Sequence, residues 1–71
     1  MKAATIEKIK EAVEHAREKH PTYAVISEQG VSIIAEEFGE MAQAVNDNDK
    51  SKAKEEAFHV IATCIRFVEE L

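Results

Sequence analysis

Residues 31–50 read VSIIAEEFGEMAQAVNDNDK, and the reading of this stretch decides the fold. Val31, Ile34, Phe38, Met41 and Val45 recur in alternating steps of three and four, an apolar row along one side of an α-helix. Such a row asks for a facing helix. Asn46, Asp47, Asn48 and Asp49 then interrupt the pattern. Their side chains bond their own backbone and tolerate left-handed geometry, so they predict a turn. Asp49 or Ser51 caps a third helix that reaches the end of the sequence. Its apolar row runs through Ala57, Val60 or Ile61, Cys64, Phe67 or Val68, and Leu71. So short a turn makes these two helices an antiparallel hairpin. Working backwards, Ser27 serves as N-cap of the second helix, with Glu28 in its positively polarised first turn, and the helix runs to about Val45. Gly39 within it costs roughly 1 kcal/mol of helix propensity relative to alanine, which hints at a close backbone approach.

A first helix is expected from about Ala4 to Lys19, with Thr5 as N-cap and with Ile6, Ile9, Val13 and Ala16 on one face. His20-Pro21 ends it, because proline disfavours helical geometry in the residue before it. Residues 21–27 form a connector whose Tyr23, Val25 and Ile26 point inward. The expected fold is all-α, a single domain over residues 1–71 made of three amphipathic helices. Three short helices leave one face unpaired, so the bundle is completed by oligomerisation, as a homodimer or homotetramer. The chain holds one cysteine, Cys64, read as a small core residue in a reducing, cytoplasmic setting. No stretch is apolar for long enough to span a membrane. Fourteen acidic against nine basic side chains give a net charge of −5, which argues against nucleic acid and anionic membranes as partners. An anionic ligand would need a cation to mediate.

Beside the apolar row of the second helix lies another: Gly30, Ile33, Glu37, Glu40 and Ala44. Two carboxylates three residues apart sit at neighbouring positions and can point at one spot. On a half-buried stripe they repel each other and resist desolvation unless something positive holds them. On the third helix Glu56 flanks the apolar row and His59 follows it. The antiparallel hairpin brings both opposite Glu37 and Glu40. Three carboxylates and an imidazole thus become candidates for one cleft, and hard cations such as Mg²⁺ take carboxylate oxygens. Solvated helix faces also carry such pairs, and that plainer reading stands beside this one. Glu36, Glu55, His15 and His20 read as surface residues. Lys50, Lys52 and Lys54 need no role beyond a solvated first turn, though they lie where a phosphate tail could approach.

The string from Glu36 through Glu37, Phe38, Gly39, Glu40 and Met41 to Val45 resembles the signature helix of MazG-like proteins, in the all-α nucleoside-triphosphate pyrophosphohydrolase superfamily. That family's pattern is E-x-x-E, a spacer, then E-x-x-D on the next helix. Glu37 and Glu40 match the first pair and Glu56 the third acid, while His59 stands where the aspartate is expected. The stretch from Glu55 to Arg66 is similar to short, phage-associated relatives. The resemblance implies that Glu37, Glu40 and Glu56, with His59, bind Mg²⁺ (or Mn²⁺). It further implies that the acids serve catalysis, an activated water splitting a nucleoside triphosphate into monophosphate and pyrophosphate. Larger members carry a fourth helix, whose packing a second subunit would supply. Two other functions remain open from the residues: a helical interaction module without catalysis, and a nucleotide sensor without turnover.

Overall fold

The computed structural model describes all residues from Met1 to Leu71. It contains three helices and no strand: α1 (Ala3–Lys19), α2 (Ser27–Asn46) and α3 (Lys50–Glu70). Asp49 caps α3, its carboxylate accepting from the Lys52 amide at 3.0 Å. The turn before it works as its chemistry requires. Asn48 takes a positive φ of 57°, and the amides of Asp47 and Asp49 return to the carbonyls of Gln43 and Ala44. The other two expected caps are displaced. Lys2 occupies the N-cap of α1 and Ile26 that of α2, neither with a side-chain bond. Ser27 lies one position too far inside, and Gln29 Oε1 accepts instead from the Val25 amide.

Helix α3 is the central element, with α2 and α1 both packed against it and no close backbone approach between α1 and α2. The α2–α3 pair is antiparallel: Gly30 faces Phe67 at one end, and Glu37 meets His59 near the middle. By contrast, α1 runs in the same direction as α3. Its Lys8 and Glu11 share a cavity with Glu55 and Phe58, and its Ala16 and Arg17 reach Arg66 and Glu70. An ionic clasp closes this end. Arg66, only 3% exposed, donates to the Ala16 carbonyl and to both oxygens of Glu70, and lies 5.1 Å above the Tyr23 ring. Arg17 holds Glu69 and Glu70 from outside.

The inner face of α2 differs from expectation. The row Val31, Phe38 and Val45 does not face α3; each is more than half exposed, with Ile34 and Met41 half-buried between them. The neighbouring row faces α3 instead, with Gly30 and Ala44 buried and Ile33 and Glu37 half-buried. Small residues explain this choice. A Cβ on Gly30 would stand 2.7 Å from the Phe67 ring, so only glycine lets the helices approach there. Gly39, expected at a close approach, has nothing within 4 Å and lies on open surface. On α3 the buried positions are Glu56, Ala62, Thr63 and Arg66, and Cys64 is only half-buried. In the connector, Tyr23 and Ala24 turn inward, and the Tyr23 hydroxyl lies 3.3 Å from the Thr63 carbonyl. Val25 and Ile26, expected inside, are exposed. No helix is long and apolar enough to cross a membrane.

These choices leave one apolar face. Successive residues turn by about 100° around a helix. Val31, Phe38 and Val45 therefore lie a quarter-turn or so round from the contact seam of α2, as Ile61, Cys64 and Val68 do on α3. Because the helices are antiparallel, both rows come to the same side of the pair, opposite α1. Val60, Ile61, Cys64, Ile65 and Val68 form a shallow apolar depression there.

Candidate metal centre

The stripe that faces α3 carries Glu37 and Glu40, and the opposing face of α3 carries Glu56 and His59. The hairpin brings all four together: one ligating atom from each lies within 4.8 Å of the others. Each of the four groups singled out from the sequence is therefore present in one cluster. Glu56 is buried, at 7% exposure, and its Oε2 lies 3.1 Å from His59 Nδ1. The same Nδ1 is 3.8 Å from Glu37 Oε2, within ion-pair range and too far for a hydrogen bond. Glu37 Oε2 is buried and has no hydrogen-bond partner at all.

That oxygen is the unusual feature. Buried carboxylate oxygens are normally satisfied, since leaving one without a partner costs about 1–3 kcal/mol or more. Glu40 stands at the solvent edge. The nearby Glu37 charge, followed by the Glu56 carboxyl, pushes its pKa above the ordinary carboxylate range. Mutual repulsion of this kind is what a bound cation relieves. The donor set also fits a divalent ion. Two donors at right angles about an ion with bonds of about 2.1 Å lie about 3.0 Å apart, which the Glu56–His59 pair matches. The wider separations, up to 4.8 Å, would have to close in around an ion. Three carboxylates suffice to neutralise the charge and leave positions for water and a ligand. The residues present therefore suit a divalent cation, with Glu37, Glu56 and His59 at the floor and Glu40 at the rim.

The cluster opens toward α1. A cavity of about 490 Å³ between α1 and α3 has Glu37 and His59 in its wall, together with Lys8, His15, Lys19, His20 and Phe58. A second cavity of about 370 Å³ shares Ala16, His20 and Glu37 with the first and continues to Tyr23 and Arg66. On the other side, Lys52 lines a smaller hollow with Glu40 and Glu56. Glu36 and Glu55 are exposed, as expected, though each borders one of these cavities. His15 and His20, read as plain surface residues, border the main one. The contribution of α1 escaped the sequence reading. A signal for it exists: Lys8, Ala12, His15 and Lys19 follow steps of four, three and four, a row beside the apolar one. No protein-family model matches the chain, and neither a curated protein nor a solved structure is significantly similar to it.

Proposed function

We propose that the chain is a divalent-cation-dependent hydrolase of nucleoside triphosphates, releasing pyrophosphate and the monophosphate. The observation that carries this reading is the convergence of Glu37, Glu40, Glu56 and His59 around the orphaned Glu37 oxygen. The choice of substrate rests on the resemblance of the Glu36–Val45 string to MazG-like proteins. A cation held here supplies positive charge against phosphate oxygens and makes a nearby water more acidic. The chain's own groups do the rest. Lys8 and Lys19 border the cavity beside the cluster and draw a polyphosphate toward it through charge, offsetting the acidic floor. Phe58, half-buried in the same wall, offers an aromatic face to a base. Glu40, at the exposed rim of the cluster, is placed to take the proton of the attacking water.

The uncovered α2–α3 face supports a second element of the proposal, assembly of the chain into a homodimer or homotetramer. Three large side chains on α2, each more than half exposed, form with the α3 row a two-helix apolar surface of the kind that packs into a four-helix bundle. The same face also favours an alternative reading, a helical interaction module without catalysis. One assay separates the two. Purified protein is incubated with NTPs and dNTPs and with Mg²⁺ or Mn²⁺, and pyrophosphate is followed alongside a Glu37→Gln control. Release that drops at least about a hundredfold in the control supports the hydrolase. No release, with no change in melting temperature on adding nucleotide and cation, rejects it in favour of the interaction module.

A further inference from the structure

We infer that His59 makes the cluster a transition-metal centre, selective for Co²⁺ or Zn²⁺ over Mg²⁺. The inference rests on the metal-centre reading above and deepens it, since carboxylates alone would suit Mg²⁺. His59 places Nδ1 among the carboxylates, 3.1 Å from Glu56 Oε2 and 3.8 Å from Glu37 Oε2. Its side chain is otherwise 44% exposed, and no further bond to the ring is present, so the acids orient it. Neutral imidazole suits the later first-row ions such as Zn²⁺, and affinity for such a site rises from Mn²⁺ through Co²⁺ toward the end of the row. Mg²⁺ prefers oxygen in near-ideal octahedral order and gives up its water reluctantly. A Mg²⁺ ion using the three acids would leave Nδ1 unliganded at the shortest edge of the cluster. A transition ion would use it. Glu37 Oε2, on the other helix of the hairpin, is buried and accepts no hydrogen bond, so it is free to serve as a further donor beside the ring.

The other two of the three histidines, His15 and His20, border the neighbouring cavity and could bind such ions by themselves. The test therefore uses the full chain carrying His15→Gln and His20→Gln, stripped of metal with a chelator. Mg²⁺, Mn²⁺, Co²⁺ and Zn²⁺ are titrated in by calorimetry, without nucleotide, and the visible absorption of the Co²⁺ form reports nitrogen ligation. The same series is run with His59→Asp and with Glu37→Gln added. The expected result is that His59→Asp lowers the preference for Zn²⁺ over Mg²⁺ by about tenfold or more and changes the Co²⁺ spectrum. Glu37→Gln should weaken every cation together. An unchanged preference and spectrum in His59→Asp, with binding still dependent on Glu37, overturns the selectivity and leaves the centre standing. Absence of binding by any of the four ions overturns the centre, and the selectivity with it.

Discussion

The two long faces of α2 reverse the usual order of polarity. One carries Val31, Phe38 and Val45 and lies open to solvent; the other carries Glu37 beside Gly30 and Ala44 and is pressed against α3. A protein that only needed to fold would bury the apolar row and wet the acids. Close packing accounts for the reversal. Gly30 and Ala44 let α3 approach closely, and the same row carries Glu37 half-buried into the contact and Glu40 to its exposed edge. The apolar row is left exposed. One face of the helix thus carries charge into the contact with α3, and the other keeps hydrophobic area in solvent.

The largest test of this contrast is Phe38→Asp. If the outer face joins copies of the chain, a charge at its middle should weaken self-association by about a hundredfold or more, leaving the inner cluster intact. Sedimentation of the wild type and variant checks this. A wild type already of one-chain mass at millimolar concentration would break the contrast at its outer side. The next test compares the two glycines. Gly30→Ala should cost about 1–3 kcal/mol, because the new methyl must displace Phe67. Gly39→Ala meets no neighbour within 4 Å and should stabilise the helix by up to about 1 kcal/mol. Urea unfolding of both variants reads the difference, and equal effects would mean that α2 is turned otherwise than described.

A smaller effect sharpens the inner side. Glu37→Met removes the orphaned oxygen while keeping the volume, so the metal-free protein should gain about 1 kcal/mol. The variant should also lose whatever stabilisation Mn²⁺ gives the wild type, as thermal melts with and without the ion would show. Destabilisation in the metal-free state would mean that the carboxylate is satisfied without a cation. The smallest effect serves as a control away from both faces of α2. Glu70 is held below the usual carboxylate range by Arg66 and then Arg17. A depressed folded pKa contributes stability above the unfolded value of about 4.3 and loses it as pH falls through the folded value. Glu70→Gln should therefore flatten the loss of stability below about pH 4.3, measured by denaturant titration at several pH values. An unchanged acid slope would mean that the clasp between α1 and α3 contributes nothing.

Much of the site was legible because hairpin register is local. The Asn46–Asp49 turn sets α3 antiparallel to α2, and helical spacing then brings Glu56 and His59 opposite Glu37 and Glu40. The face of α2 was not legible in the same way. Periodicity distinguishes two neighbouring rows but does not rank them, and hydrophobicity favoured the wrong one. Gly30 decided the matter through contact with Phe67, 37 residues away in sequence, a contact that no spacing rule contains. Nor did spacing locate Lys8, His15 and Lys19. Their row on α1 can be read from the sequence, but its approach to the cluster depends on α1 running alongside α3, which Arg66 fixes by reaching the Ala16 carbonyl.

By itself the sequence determined three helices, the turn after Asn46, a cap at Asp49 or Ser51, and the gathering of three acids and a histidine on facing strips. All of these follow from local dihedral preference and from a repeat of about 3.6 residues per turn. Only the tertiary structure decided which strip of α2 is inside, that α1 closes the acidic side, and that one Glu37 oxygen is sealed without a partner. Those outcomes depend on the distance of closest approach between helices. That distance is set by pairs of side chains far apart in the chain, and no local preference encodes it.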